Sequence, residues 1–226
     1  MDVSLVIPSY NEENRLPSTV EAVIAYVDES PLRIELVLVD DGSSDGTRSI
    51  IEAAVDSREW ISAILCNTNR GKGAAVREGF ANAKGETVVF FDADLSYPLD
   101  LIEAAESRIR EGADLVIGGR DLTEKDSRWR YSPVRRMATT VFNVLVEQLL
   151  SLGIPDTQCG FKAFRRDVTA AMFEKLTIDS FAFDIELLLV ARIWALRIDR
   201  IPVDMKHDRE SSIRLFGDSL KMLRDI

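Results

Sequence analysis

The stretch VVFFDADLSYP sets two carboxylates one residue apart, Asp92 and Asp94, directly after the apolar run Val88-Val89-Phe90-Phe91. A second acidic pair, Asp40 and Asp41, follows the apolar run from Ile34 to Val39 and leads into Gly42-Ser43. Carboxylate oxygens are hard ligands suited to Mg²⁺ or Mn²⁺, and an ion held by one or two of them usually bridges substrate phosphates. A short acidic pair is also what a solvated strand end looks like before a turn at Pro98. Context decides between the two. Where a buried strand stops and the chain turns, both acids approach one ligand, so the metal reading is preferred.

Two further stretches carry charge in a suggestive pattern. In NRGKGAAVREG, residues 69–79, Gly71 and Gly73 flank Lys72 at the opening of an expected helix. Exposed amides with a lysine make an anion seat. The spacing is neither that of a P-loop nor that of a dinucleotide fingerprint, and a glycine-rich loop with a solvated lysine fits it equally well. Residues 119–136 are basic, with Arg120, Arg128, Arg130, Arg135 and Arg136, whereas the chain as a whole has a net charge of −10. Such a segment is a solvated face in the plainer reading. Beside a metal site it suits an anionic second substrate, because arginine grips phosphate with a bidentate fork. The one histidine, His207, and the widely spaced Cys66 and Cys159 argue against a Ser-His-Asp or Cys-His nucleophile and against most zinc sites. The cysteines read as reduced thiols of a cytosolic protein.

The elements that must position these residues alternate. Strands are expected over 3–7, 34–39, 61–65, 87–91 and 115–117. Helices are expected over about 16–28, from a cap at Ser43 or Ser44 to about 56, and over about 72–83 and 98–111. Alternating β and α segments with near-continuous apolar strands predict an α/β fold with a mainly parallel sheet covered on both faces. Ligands of such sheets bind beyond the carboxyl ends of the strands. Pro8-Ser9-Tyr10-Asn11-Glu12, Asp40 to Ser43 and Asp92 to Asp94 all fall there. After Gly118 the pattern changes. Helices are expected over about 134–152 and 182–196, strands over 161–165 and 198–203, and an amphipathic segment over 212–226.

The chain has 226 residues, 46% of them hydrophobic, enough for one sizeable core and short for two domains. We expect one domain, with residues 1–118 binding a nucleotide and 119–226 an acceptor. Its acidic balance excludes nonspecific nucleic-acid binding. The N-terminus lacks a signal-peptide pattern. No stretch approaches the roughly 18 apolar residues that a membrane span needs.

With these residues in place the sequence resembles the inverting glycosyltransferases of family 2, which have the GT-A fold with a Rossmann-like central sheet. Within them it is similar to the polyprenyl-phosphate hexosyltransferases, the dolichyl-phosphate glucose and mannose synthases. The resemblance runs through LVIPSYNEENRLP, VLVDDGSSDGT, NRGKGAAVREG, FFDADLSYP and GGR to SPVRRM, DTQCGFKAF and FAFDIELL. DTQCGFK and FAFDIELL look like the glucose branch. The resemblance implies transfer of a hexose from a nucleotide sugar, best UDP-glucose, to a polyprenyl or dolichyl phosphate with inversion. The alternatives are a GDP-mannose-dependent enzyme or transfer to a glycan or other acceptor. It implies that Pro8, Tyr10, Glu12 and Asp41 line the nucleoside pocket and that Asp92 lies near the ribose and diphosphate. Lys72 joins these residues as a donor contact. Asp94 would ligate Mg²⁺ or Mn²⁺, with Asp92 nearby. Ser96, where the mannose branch often has Gln, would be a weaker ligand. Arg120 and Arg135 match the arginines expected to hold the acceptor phosphate. Asp156 and Gln158 would face the reaction centre, with Asp156 able to remove a residual proton. Such an enzyme would be peripheral at the cytoplasmic face of a membrane, with the tail over 212–226 as an interfacial helix.

Overall fold

Val88, Val89, Phe90 and Phe91 are almost completely shielded from solvent, as are the runs Val3 to Ile7, Ile34 to Val39 and Leu115 to Ile117, whereas the edge runs over 61–65 and 198–202 are only partly covered. A computed structural model describes residues 1–123 and 153–204. Its strands are β1 (Val3–Ser9), β2 (Ile34–Asp40), β3 (Ile61–Leu65), β4 (Thr87–Phe91), β5 (Leu115–Gly119), β6 (Phe161–Arg165) and β7 (Ile198–Pro202). They form one seven-stranded sheet in the order β3-β2-β1-β4-β6-β5-β7. All pairs are parallel except those of β6 with β4 and with β5.

Six helices among the described residues cover the sheet: α1 (Leu16–Glu29), α2 (Thr47–Ser57), α3 (Lys72–Asn82), α4 (Leu101–Arg110), α5 (Arg166–Phe173) and α6 (Phe183–Ile193). Strand residues alternate between the faces. Val3, Leu5 and Ile7 of β1 pack with Leu16 and Val23 of α1, Ile51 of α2 and Ile102 of α4. Val6, between them, packs on the other face with Val76 and Phe80 of α3, Phe173 of α5 and Phe183 of α6. The result is the α/β architecture that the alternating pattern predicts.

Two features of the topology position the site. First, β1 pairs in parallel with both β2 and β4, with Leu5 opposite Leu36 on one side and Val89 on the other. The connections leave β1 in opposite directions, which opens a crevice at the carboxyl ends of β1 and β4. Second, β6 runs antiparallel between β4 and β5, with Phe161 opposite Phe91. The start of β6 therefore meets the end of β4, and Gly160 lies beside Asp92. β6 and β7 share one sheet with the strands of residues 1–118.

Several boundaries differ from the sequence reading: β1 continues through Pro8 to Ser9, β5 continues to Gly119, β7 ends at Pro202, and helix α5 has no counterpart among the expected elements. Helix α2 begins at Thr47, after Ser43 and Ser44. The Ser43 hydroxyl accepts the Asn11 N–H at 2.9 Å and the Ser43 N–H donates to Asp40, so this serine ties two loops together and does not cap the helix. Asp45 accepts the Thr47 N–H at 3.0 Å. Helix α4 begins at Leu101, after irregular chain from Ser96 and a turn at Leu99 and Asp100. Helix α6 ends at Ile193, with Ala195 beyond it in the left-handed region at φ 52°. The expected helix over 134–152 and the amphipathic segment over 212–226 lie outside the described residues, as does His207. No helix among the described residues is long and apolar enough to cross a membrane.

Candidate active site

The strand ends converge on a crevice lined with acids. From β1 come Pro8, Tyr10 and Glu12, with Tyr10 exposed and Glu12 mostly covered. Burial pushes the Glu12 carboxyl above its ordinary range. Arg15, at 2.8 Å, pulls it back, while Asp94 and Asp92 push it up further. Glu12 thus feels both acids of the DAD turn. That turn is tightly built. The Leu95 N–H donates to the Asp92 carbonyl at 3.1 Å, with Leu95 left-handed at φ 44°. The Ser96 N–H donates to Asp94 Oδ1 at 3.0 Å. Thr19 of α1 donates its hydroxyl to the Ala93 carbonyl at 2.6 Å, holding the peptide between the two acids from behind. Ser96 meets Asp94 through its backbone N–H.

This donor set fits a hard divalent ion. Glu12 Oε2 already faces the Arg15 guanidinium at 2.8 Å, while the repulsion that Asp94 and Asp92 exert on Glu12 is a field that a further cation relieves. Among the described residues no group of three or more His, Cys, Asp or Glu is placed to hold a metal ion by itself. One or two protein carboxylates, with substrate phosphates supplying the rest, is the arrangement typical of Mg²⁺ sites.

The glycine loop works differently from an amide cradle. The Asp41 carboxylate accepts the Arg70 N–H at 2.9 Å and the Gly71 N–H at 2.8 Å. The Gly73 N–H donates to the Asp179 carbonyl at 2.8 Å. These amides are committed within the protein, so the anion seat expected from them is not formed. The glycines serve close approach. A Cβ on Gly73 would collide with the Ile178 carbonyl and with Phe183. Asp41 therefore acts on the loop that carries Lys72. Burial pushes the Asp41 carboxyl up, opposed by those two amides.

Lys72 reaches across to Asp92, Nζ to Oδ1 at 2.6 Å, and lies 4.9 Å from the centre of the Phe90 ring. Burial alone would lower its ammonium. The Asp92, Asp184 and Asp94 carboxylates outweigh that and hold it above the ordinary lysine range. Asp92 is thus partly neutralised by a lysine that reaches the end of β4.

The segment before β6 supplies the other wall. Asp156 is buried and takes three hydrogen bonds from Arg120: from the backbone N–H at 3.0 Å, Nε at 2.8 Å and Nη2 at 2.6 Å. Burial would raise the Asp156 carboxyl, but the Arg120 charge and these bonds prevail and hold it below its ordinary range. A carboxylate so held is a weaker proton acceptor than a free one. The guanidinium fork of Arg120 is directed at Asp156. Gln158 is half-buried on the same segment. Gly160 touches Asp92, and a Cβ there would overlap the carboxylate. Arg135, the second expected phosphate-binding arginine, lies outside the described residues.

Thr19, Gly160 and Lys162 are site-shaping residues that reading the sequence missed. Only Lys162 left a signal: a lysine inside the aromatic run Phe161-Lys162-Ala163-Phe164, where β6 is buried.

Residues 4–173 match glycosyl transferase family 2. The dolichyl-phosphate beta-glucosyltransferase of Homo sapiens is 32% identical over 237 residues, covering 99% of this chain and 73% of that protein. The protein of the same name from Saccharomyces cerevisiae is 33% identical over 242 residues, covering 99% and 72%. Among solved structures, glucosyl-3-phosphoglycerate synthase from Mycobacterium tuberculosis, in complex with Mn²⁺, UDP-glucose and phosphoglyceric acid, superposes with a TM-score of 0.72 at 18% identity, covering 99% of this chain and 78% of that one. Mannosyl-3-phosphoglycerate synthase from Rubrobacter xylanophilus gives 0.72 at 19% identity, covering 100% and 72%. These structures share the fold, a glycosyltransferase sheet that serves glucosyl and mannosyl synthases alike. With the family match spanning most of the sequence and relatives aligned along nearly all of it, the chain belongs to glycosyl transferase family 2 and is a glycosyltransferase.

Proposed function

We propose that the enzyme transfers glucose from UDP-glucose to a polyprenyl phosphate of the dolichyl type, with inversion at the anomeric carbon. Relatives named dolichyl-phosphate beta-glucosyltransferases, aligned over 99% of the chain, carry this reading. A phosphate oxygen of the acceptor forms the new bond to C1, the bond from C1 to the diphosphate breaks, and UDP leaves with that electron pair. The acceptor has a second pKa near about 6 and is largely ionised at neutral pH. It needs no strong base, in keeping with an Asp156 held as the partner of Arg120. The protein's task is alignment and charge stabilisation.

Residues 1–118 take the donor, with Pro8, Tyr10, Glu12 and Asp41 around the nucleoside and Lys72 and Asp92 toward the diphosphate. Asp94, with Asp92 and Ser96 beside it, would hold Mg²⁺ or Mn²⁺, which supplies a counter-charge for the departing diphosphate. Residues 119–226 take the acceptor, with Arg120 and Asp156 as a preset pair, Gln158 at the reaction centre and Arg135 at the phosphate. The acceptor's bilayer puts the enzyme at the cytoplasmic face of a membrane. A donor screen with a short polyprenyl phosphate and Mg²⁺ or Mn²⁺, read by mass spectrometry of the lipid, tests this. A glucosyl-phosphate lipid made from UDP-glucose is the expected product. A mannosyl lipid made from GDP-mannose overturns the sugar, and glucose found only on a glycan overturns the acceptor.

A further inference from the structure

We infer that Lys162 and Asp184 form a positioning pair that fixes the segment 156–160 against the Asp92 turn, so that the donor and acceptor walls keep one geometry. This rests on the proposed reaction for its kinetic readout only. Lys162 is 1% exposed and Asp184 4%. Nζ lies 2.6 Å from Asp184 Oδ1 and donates to the Cys159 carbonyl at 2.7 Å. A buried ion pair is a weak source of stability, since apolar residues of similar volume commonly pack as well. The lysine does one thing that an apolar residue cannot. Its ammonium reaches back three residues and pins the Cys159 carbonyl.

That carbonyl belongs to the peptide entering Gly160, which abuts Asp92. On its other side the same segment leads to Asp156 and its three bonds from Arg120. Asp184, in the first turn of α6, completes the tie from behind. The stretch before α6 is itself fixed to α3, through the Gly73 N–H on the Asp179 carbonyl and Arg77 on the Ile178 carbonyl at 2.8 Å. Lys72 and Lys162 share the Phe90 ring, at 4.9 and 5.9 Å from its centre. The pairs Lys72 with Asp92 and Lys162 with Asp184 therefore meet at one ring, and the pair Arg120 with Asp156 ties the segment whose Cys159 carbonyl Lys162 holds.

The test compares Asp184→Val with the double variant Lys162→Met, Asp184→Val. The single variant leaves an uncompensated buried ammonium and melts lower. The double variant recovers most of the melting temperature but lacks the tie to Cys159. Two measurements then decide. Hydrogen exchange of the free protein should show amides 157–160 of the double variant exchanging about tenfold faster, the loss of roughly one local hydrogen bond, with β1 amides unchanged. Its kcat should stay on the order of a hundredfold low, the scale of a 1 Å misplacement, while its affinity for UDP with Mn²⁺ is retained. Wild-type exchange over 157–160, or a kcat that recovers together with the melting temperature, overturns the inference and leaves the pair merely structural. Should that double variant fail to fold, Lys162→Met combined with the nearly isosteric Asp184→Asn removes the same tie to Cys159 and carries the same two readouts. If the native enzyme transfers no sugar to polyprenyl phosphate, the proposed function fails, and the exchange measurement still judges the pair.

Discussion

Gly160→Ala is the smallest change that reaches Asp92 without touching it in the sequence. Gly160 has no left-handed backbone to lose, so its effect is one of contact. An added Cβ would overlap Asp92 Oδ2 and stand 2.7 Å from Cγ. Carbon atoms rest about 3.5–4.0 Å apart, so the carboxyl must retreat by roughly 1 Å. That stretches its 2.6 Å contact with Lys72 beyond hydrogen-bond range. A 1 Å misplacement costs about a hundredfold in rate, equal to about 2.7 kcal/mol of transition-state stabilisation. The fold feels much less. The Asp92 side chain is 36% exposed and can yield, so the overpacking cost is at the low end, about 1 kcal/mol. Restricting the unfolded chain returns about 0.4–1 kcal/mol of that. Initial rates of transfer together with thermal unfolding make the assay. The expected result is a near-native melting temperature with kcat/KM down about a hundredfold. A folded variant with native kcat/KM would show that the position of Asp92 against Gly160 has no bearing on catalysis.

Asp94→Ala should lower transfer by about a hundredfold or more while leaving the melting temperature near native, the scale of losing one preset charge at a developing anion. Native turnover in saturating Mg²⁺ would remove Asp94 from the metal site. Asp41→Asn leaves one oxygen for the two amides of Arg70 and Gly71. Loss of one bond to a charged group, about 1.5–3 kcal/mol, should appear as weaker UDP binding by calorimetry, and an unchanged affinity would refute the link from Asp41 through the loop to Lys72. Asp156 has a depressed folded pKa, so its stabilisation is present above the unfolded value of about 3.9 and is lost as pH falls through the folded value. Asp156→Asn takes the charged acceptor from three bonds of Arg120; it should cost about 1.5–3 kcal/mol at neutral pH and should flatten the melting temperature's fall below about pH 4. Parallel pH curves for the two proteins would contradict the pairing.

What was legible in the sequence followed local rules. Strand β4 could be read residue by residue because an apolar run ending on two acids has one natural place in an α/β sheet. The family motifs marked the same crevice. What escaped depends on partners remote in the chain. Ser43 has the composition of a helix cap, yet its hydroxyl serves Asn11, 32 residues away. Gly71 and Gly73 have the composition of an anion seat, yet their amides serve Asp41 and Asp179. Asp156 has the composition of a site acid, and its partner Arg120 lies 36 residues away. In each case a short polar motif announced that something binds there, and only the tertiary fold decided what.

The antiparallel insertion of β6 is the step that local rules could not supply, and it is the one on which the site depends. A parallel strand at that position would begin at the amino ends of its neighbours and would bring its leading loop to the far side of the sheet. Running against β4 and β5, β6 instead delivers its leading loop, residues 156–160, to the carboxyl edge where Asp92 stands. The same reversal puts Lys162 opposite Phe90 in the ladder, within reach of Asp184 on the helix behind. One antiparallel strand in an otherwise parallel sheet thus lets a donor crevice made by β1 and β4 share a wall with a segment that follows the basic stretch. A two-substrate enzyme needs that juxtaposition, since the acceptor oxygen must meet C1 of the donor in line with the departing diphosphate.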